Sequence, residues 1–156
     1  MGERPRHWDT GARDEAYAEL EHPADLFVEI WGEDLSALFG NALFALYDQM
    51  VELEGLGAER TETIEVCGPD SEETLRSLLS EALYIFAAEG FVANAARLDV
   101  RTASEGPLQV TAHLWGETLD RRRHTLLAEV KAVTYHQLTV GRTAEGGWRA
   151  TVLFDV

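Results

Sequence analysis

A chain of 156 residues is long enough for one domain with a single core, and 46% hydrophobic with 26% charged residues is ordinary globular composition that excludes wholesale disorder. The formal net charge of -15 argues against broad contact with phosphate backbones, which takes clustered Lys and Arg. It favours a cation or a basic protein surface as partner, although acidity that only keeps the chain in solution fits the composition as well.

Residues 1–16 contain Arg, Asp, Glu, Gly and Pro without an apolar period. They read as a flexible leader, and they lack the apolar core of a secretory signal. Order is expected from Tyr17, so that residues 17–156 form the domain. Leu26 to Trp31 reads as a strand closed by Gly32. Asp34 is placed to cap a helix carrying Leu35, Leu38, Phe39, Ala42, Leu43, Leu46, Tyr47 and Met50 at spacings of three and four, one apolar stripe that should cover a sheet. After Gly55 and Gly57, Thr61 to Val66 alternates as a strand ended by Gly68 and Pro69. Asp70 with Glu73 has the pattern of a capping box, and Leu75, Leu78, Leu79, Ala82, Leu83 and Phe86 give a second amphipathic helix that stops before Gly90.

Arg97 to Thr102 and Gln109 to Trp115 follow as strands, with Val110, Ala112 and Leu114 inward. Val130 to Arg142 and Trp148 to Val156 make a last pair joined through Glu145, Gly146 and Gly147. The expected fold is α+β, a two-layer sandwich of mixed or antiparallel sheet with two amphipathic helices on one face. No Gly-rich phosphate loop follows either early strand, which speaks against a nucleotide-binding βαβ unit. Cys67 is the only cysteine, so no intrachain disulfide forms. A reducing, cytoplasmic location is the simplest expectation, and Cys67, in a strand, is expected to be buried and inert. No stretch approaches the roughly 18 apolar residues of a membrane span.

Three places carry candidate chemistry. Glu21-His22-Pro23-Ala24-Asp25 stands at a strand entrance, where Asp25 could present a carboxylate at a sheet edge; an Asp beside a Pro is also ordinary turn chemistry, and the residue types alone favour the turn. The last strand stays apolar through Phe154 and closes on Asp155 and Val156, which offer a side-chain and a main-chain carboxylate close together. Such oxygen donors suit a hard cation such as calcium or magnesium, and a hydrated terminal Asp fits the residues equally well. Lys131 is the single Lys among basic residues that are otherwise all Arg. A site wanting a compact ammonium and simple chance both account for it. A plain final hairpin would put Asp155 opposite roughly Tyr135, with Lys131 projecting beyond the terminus. His22, His113, His124 and His136 lack zinc-ligand spacing, and Trp31, Trp115 and Trp148 are expected in the core or on a sheet face.

Taken in order, Glu21-His22-Pro23-Ala24-Asp25, Val28-Glu29-Ile30-Trp31-Gly32, Leu83-Tyr84-Ile85-Phe86, Gly116-Glu117, Arg123-His124, the run Glu129 to His136 around Lys131, and Trp148 to Val156 resemble the archease family from about Tyr17 to the last residue. Two departures stand out: Pro23 where the family usually has Thr, and Leu79-Ser80-Glu81 where it has Trp-Leu-Asn. The resemblance implies an accessory protein, not itself an enzyme, that activates an RtcB-type RNA ligase in tRNA splicing and RNA repair by promoting its guanylylation and repeated turnover. It implies a divalent cation, calcium first with magnesium or manganese as alternatives, held by Asp25, Asp155 and the Val156 carboxylate. Lys131 would act in partner activation, and His22 and His136 would stand behind the ligands. Direct strong binding of nucleic acid and of membranes is not expected. A metal-dependent phosphohydrolase using the same carboxylates and a chaperone for an RNA methyltransferase are the alternatives.

Overall fold

The computed structural model describes residues 5–20, 25–102 and 107–156. Among these residues nine strands and three α-helices follow one another as β1 (Arg6–His7), α1 (Arg13–Ala16), β2 (Tyr17–Leu20), β3 (Leu26–Gly32), α2 (Leu35–Met50), β4 (Arg60–Gly68), α3 (Ser71–Glu89), β5 (Phe91–Thr102), β6 (Leu108–Thr118), β7 (Ala132–Val133), β8 (Thr139–Arg142) and β9 (Trp148–Asp155). The class is α+β, as the pattern of elements predicts. The strands are divided between two sheets, and every pairing among the described residues is antiparallel. The first sheet runs β1-β5-β6-β4; the second runs β2-β3-β9-β7, with β8 also paired to β9.

Local chemistry sets the helix starts. The Asp34 carboxylate accepts from the Ala37 N–H at 2.8 Å and the Asp70 carboxylate from the Glu73 N–H at 2.8 Å, each filling a backbone donor that a first turn leaves open. The Glu73 side chain does not complete the box: it accepts from the Tyr135 hydroxyl at 2.8 Å instead. Gly90 ends α3 in the left-handed region at φ 70°, the position where a side chain would be strained.

Helix α2 is buried on more than the one stripe expected. Leu38, Phe39, Ala42, Leu43, Leu46, Tyr47 and Met50 of that stripe are buried, and so are Phe44, Ala45 and Asp48 outside it. It packs on β3 in one sheet and on β5 in the other, and the remaining side is covered by the segment before β2. Trp8 stacks on Phe44 with ring centroids 5.4 Å apart, and Tyr17 meets the same ring edge-on at 5.9 Å. Residues 6–16, read from the sequence as a leader, thus carry a short strand paired to β5, a 3₁₀ turn at Thr10–Ala12, and α1 packed on α2. Their apolar groups show no period because each is placed by a tertiary contact, not by a repeating face.

Candidate functional site

Three segments meet where β9 ends. Leu26 pairs with Phe154 at the start of β3, so the same register carried one residue further sets Asp25 across from Asp155. On the other side Asp155 pairs with Ala132, and the Lys131 N–H donates to the Asp155 carbonyl at 2.7 Å. Side chains alternate across a strand. Val28, Ile30, Ala150, Val152 and Phe154 fill the core, which turns Asp155 to the outer face, where it is exposed. Lys131 and Val156 are exposed as well. Asp25, Asp155, Val156 and Lys131 therefore lie at one end of the second sheet.

The register differs from that of a plain hairpin. Asp155 faces Ala132, where a continuous pairing predicts Tyr135. Between Thr139↔Thr151 and Val133↔Phe154 the chain of β8 and β7 advances six residues while β9 advances three, so three residues loop out. Lys131 consequently joins the end of β9 instead of projecting past it. The loop is held from two sides. The Thr151 hydroxyl, buried in β9, donates to the Gln137 carbonyl at 2.6 Å and shares a hydrogen bond with the Thr139 hydroxyl at 2.7 Å. From α3, Glu73 accepts from Tyr135, Glu72 accepts from the Val140 N–H at 3.3 Å, and the Arg76 guanidinium lies 3.8 Å from the Tyr135 ring centroid. Sequence reasoning missed these positioning residues. The one local signal is Thr151, a hydroxyl interrupting the apolar run Ala150 to Phe154.

A second cluster anchors the segment that leads into Lys131. Glu117 near the end of β6 accepts from the Gly57 N–H at 2.5 Å, is ion-paired to Arg123, and lies 3.4 Å from His124 Nε2. The Gly57 N–H, followed by the Arg123 charge and the His124 contact, holds the Glu117 carboxyl below the usual carboxylate range. The Asp120 N–H donates to His124 Nδ1 at 2.8 Å, which leaves the proton of a neutral ring on Nε2, toward Glu117. From there residues 125–127 run beside the end of α2, with Glu52 N–H donating to Thr125 at 3.0 Å and Leu127 N–H to Met50 at 2.8 Å.

Among the described residues no three His, Cys, Asp or Glu side chains group as a metal site. The end of β9 brings together two carboxylate side chains, Asp25 and Asp155. Its donors are all oxygens, the chemistry a hard divalent cation takes, so the residues present fit such an ion. His22 lies outside the described residues. His136 is exposed in the loop, where its N–H donates to the Thr134 hydroxyl at 3.2 Å. Cys67, expected to be buried, is exposed: Ile64 and Gly68 face inward on β4 and alternation turns Cys67 outward. No helix among the described residues is long and apolar enough to cross a membrane.

The comparisons with known proteins run over the same span. Residues 17–156 match the profile of the Archease protein family (MTH1598/TM1083). The chain is 34% identical over 140 residues to a protein archease of Methanosarcina mazei, covering 90% of this chain and 95% of that one. It is likewise 34% identical over 140 residues to a protein archease of Archaeoglobus fulgidus, with 98% of that chain covered. The solution structure of Methanobacterium thermoautotrophicum protein 1598 superposes with a TM-score of 0.77 at 25% identity, covering 91% of this chain and 99% of the other. Shared sequence along nine-tenths of the length, and a shared arrangement of two sheets and their helices, place the chain in the archease family.

Proposed function

We propose that the chain is an activator of an RtcB-type RNA ligase, promoting guanylylation of the ligase and its repeated turnover, and that the end of β9 is the part that acts. What supports this reading is the looped register that brings Lys131 beside Asp155 while β3 delivers Asp25 to the same edge. Asp25, Asp155 and the Val156 carboxylate would hold a divalent cation, calcium first, with magnesium or manganese as alternatives. Such an ion, when bound, would neutralise the carboxylates and keep coordination positions open to phosphate oxygens. Lys131 offers three donors on a flexible stem. A compact ammonium beside a carboxylate edge suits contact with a nucleotide-binding pocket of mixed charge. His22 and His136 would orient the edge from behind.

The test is formation of the ligase–guanylate adduct from GTP, followed with and without this protein. The expected result is faster adduct formation with the wild-type chain, a loss of stimulation in Lys131→Ala and Asp25→Ala, and unchanged thermal unfolding of the Lys131 variant. No stimulation by a folded wild-type chain contradicts the activator reading. Turnover of phosphomonoester or phosphodiester substrates by the protein alone would instead favour a hydrolase.

A further inference from the structure

At the other end of the second sheet, roughly 20 Å along β3 from Asp25 at about 3.3 Å per residue, a cavity of about 780 Å³ opens between the segment before β2 and the β8–β9 turn. Three of the four tryptophans line it: Trp8 from the N-terminal segment, Trp31 from the end of β3, and Trp148 from the start of β9. Four carboxylates stand around them on three separate segments: Asp9 and Glu15 in the segment before β2, Glu33 in the turn before α2, and Glu145 in the β8–β9 turn. All three glutamates are exposed. Arg6 and His7 also line the cavity, so its acids outnumber its cations. The Arg142 guanidinium lies 5.2 Å from the Trp148 ring centroid, so the chain already uses that ring to hold a cation of its own. Trp8 belongs to residues that precede the family match, which begins at 17. The cavity is therefore built partly from a segment that the shared domain does not supply.

We propose that this cavity binds an organic polycation of the linear polyamine class. Indole faces attract ammonium groups through the ring quadrupole, and the overall charge of -15 draws cations toward the surface. A metal ion needs donors that converge on one point, and among the described residues no such group of acidic or imidazole side chains occurs. Carboxylates on three separate segments suit a ligand carrying several charges along a flexible chain. Anions, including phosphates, meet carboxylates here and are disfavoured. The inference does not depend on the ligase reading.

The experiment uses spermidine as the probe, titrated into the full chain at physiological salt, with heat and tryptophan emission both recorded. The expected result is one saturable site whose occupancy changes the emission. The double variant Glu33→Gln, Glu145→Gln should bind about tenfold more weakly, as loss of two partly solvated ion pairs implies. A control pair, Glu65→Gln with Glu81→Gln on β4 and α3, makes the same change of net charge away from the cavity and should leave binding within about twofold. Thermal unfolding of each variant verifies that it is folded. Absence of saturable binding overturns the proposal. So does unaltered binding in the cavity pair, or an equal loss in both pairs, which would mark diffuse attraction to an acidic surface.

Discussion

Asp48 lies on α2 with 5% of its side chain exposed, and it is matched by two groups from the segment before β3. Arg13 approaches its two oxygens at 3.1 and 2.9 Å, and the Tyr17 hydroxyl donates at 2.7 Å. Removing the carboxylate leaves a buried phenol and a guanidinium without their acceptor. Asp48→Ala should therefore cost about 2 kcal/mol or more in a urea titration. Arg13→Ala should cost about 1 kcal/mol or less, because its side chain is 40% exposed and the pair is screened. Neither partner was legible in the sequence: Asp48 sits within a helix and Arg13 lies 35 residues earlier, so only the tertiary fold joins them.

Glu117 carries a pH dependence whose direction follows from its lowered pKa. A carboxylate held below its unfolded value of 4.5 contributes in full above that pH, and its contribution is lost as pH falls through the folded value. Stability of the wild type should decline below about pH 4.5, and Glu117→Gln should flatten that part of the acid limb in denaturant titrations across pH. A Glu117→Gln curve as steep as the wild type would sink this account. The outward place of Cys67 follows from alternation carried one residue past Val66: Ile64 and Val66 face inward, so Cys67 shares the outer face with Thr63 and Glu65. In the native protein Cys67 should react with a disulfide reagent without prior unfolding, and protection until the chain unfolds would contradict its exposure.

At the scale of elements, the caps at Asp34 and Asp70 and the alternation of β4 and β6 were legible because each depends on residues within a few positions. The looped register of β7 and β8 was not, because it is set by Thr151, Glu72, Glu73 and Arg76 acting across the fold. A second long-range constraint is the close approach of Gly116 on β6 to β5, where the pairing shifts between Ala93 and Ala95. A Cβ at Gly116 would overlap the Val92 carbonyl oxygen, which is backbone and cannot swing aside. Gly116→Ala should cost about 3 kcal/mol or more, within the range of severe core changes, and would be read as a shift of the urea midpoint. Gly32, whose Cβ would meet the Leu38 backbone, fixes the turn from β3 into α2 in the same way.

For the whole molecule, the two-sheet arrangement was not legible, since the order of strands says nothing about which of them pair. The arrangement matters because the second sheet carries the proposed metal site at one end and the tryptophan-lined cavity at the other. A cation bound only by the folded state would stabilise it by mass action, by about 2.7 kcal/mol at a hundredfold excess over the dissociation constant. For a chain of this size that is a rise of about 5–10 °C in the unfolding midpoint. Calcium should produce such a rise in the wild type and not in Asp25→Ala.

The central claim is that the closing carboxylates of β9, with Asp25 and Lys131, are what activates the ligase. The most direct test compares multiple-turnover RNA ligation by the cognate ligase with the wild-type chain and with a chain extended by a few residues after Val156. The extension moves the terminal carboxylate away while leaving every side chain in place. Stimulation by the wild type, and its loss in a folded extended chain, is the predicted result. Equal stimulation by both would contradict the claim that the end of β9 is the acting part.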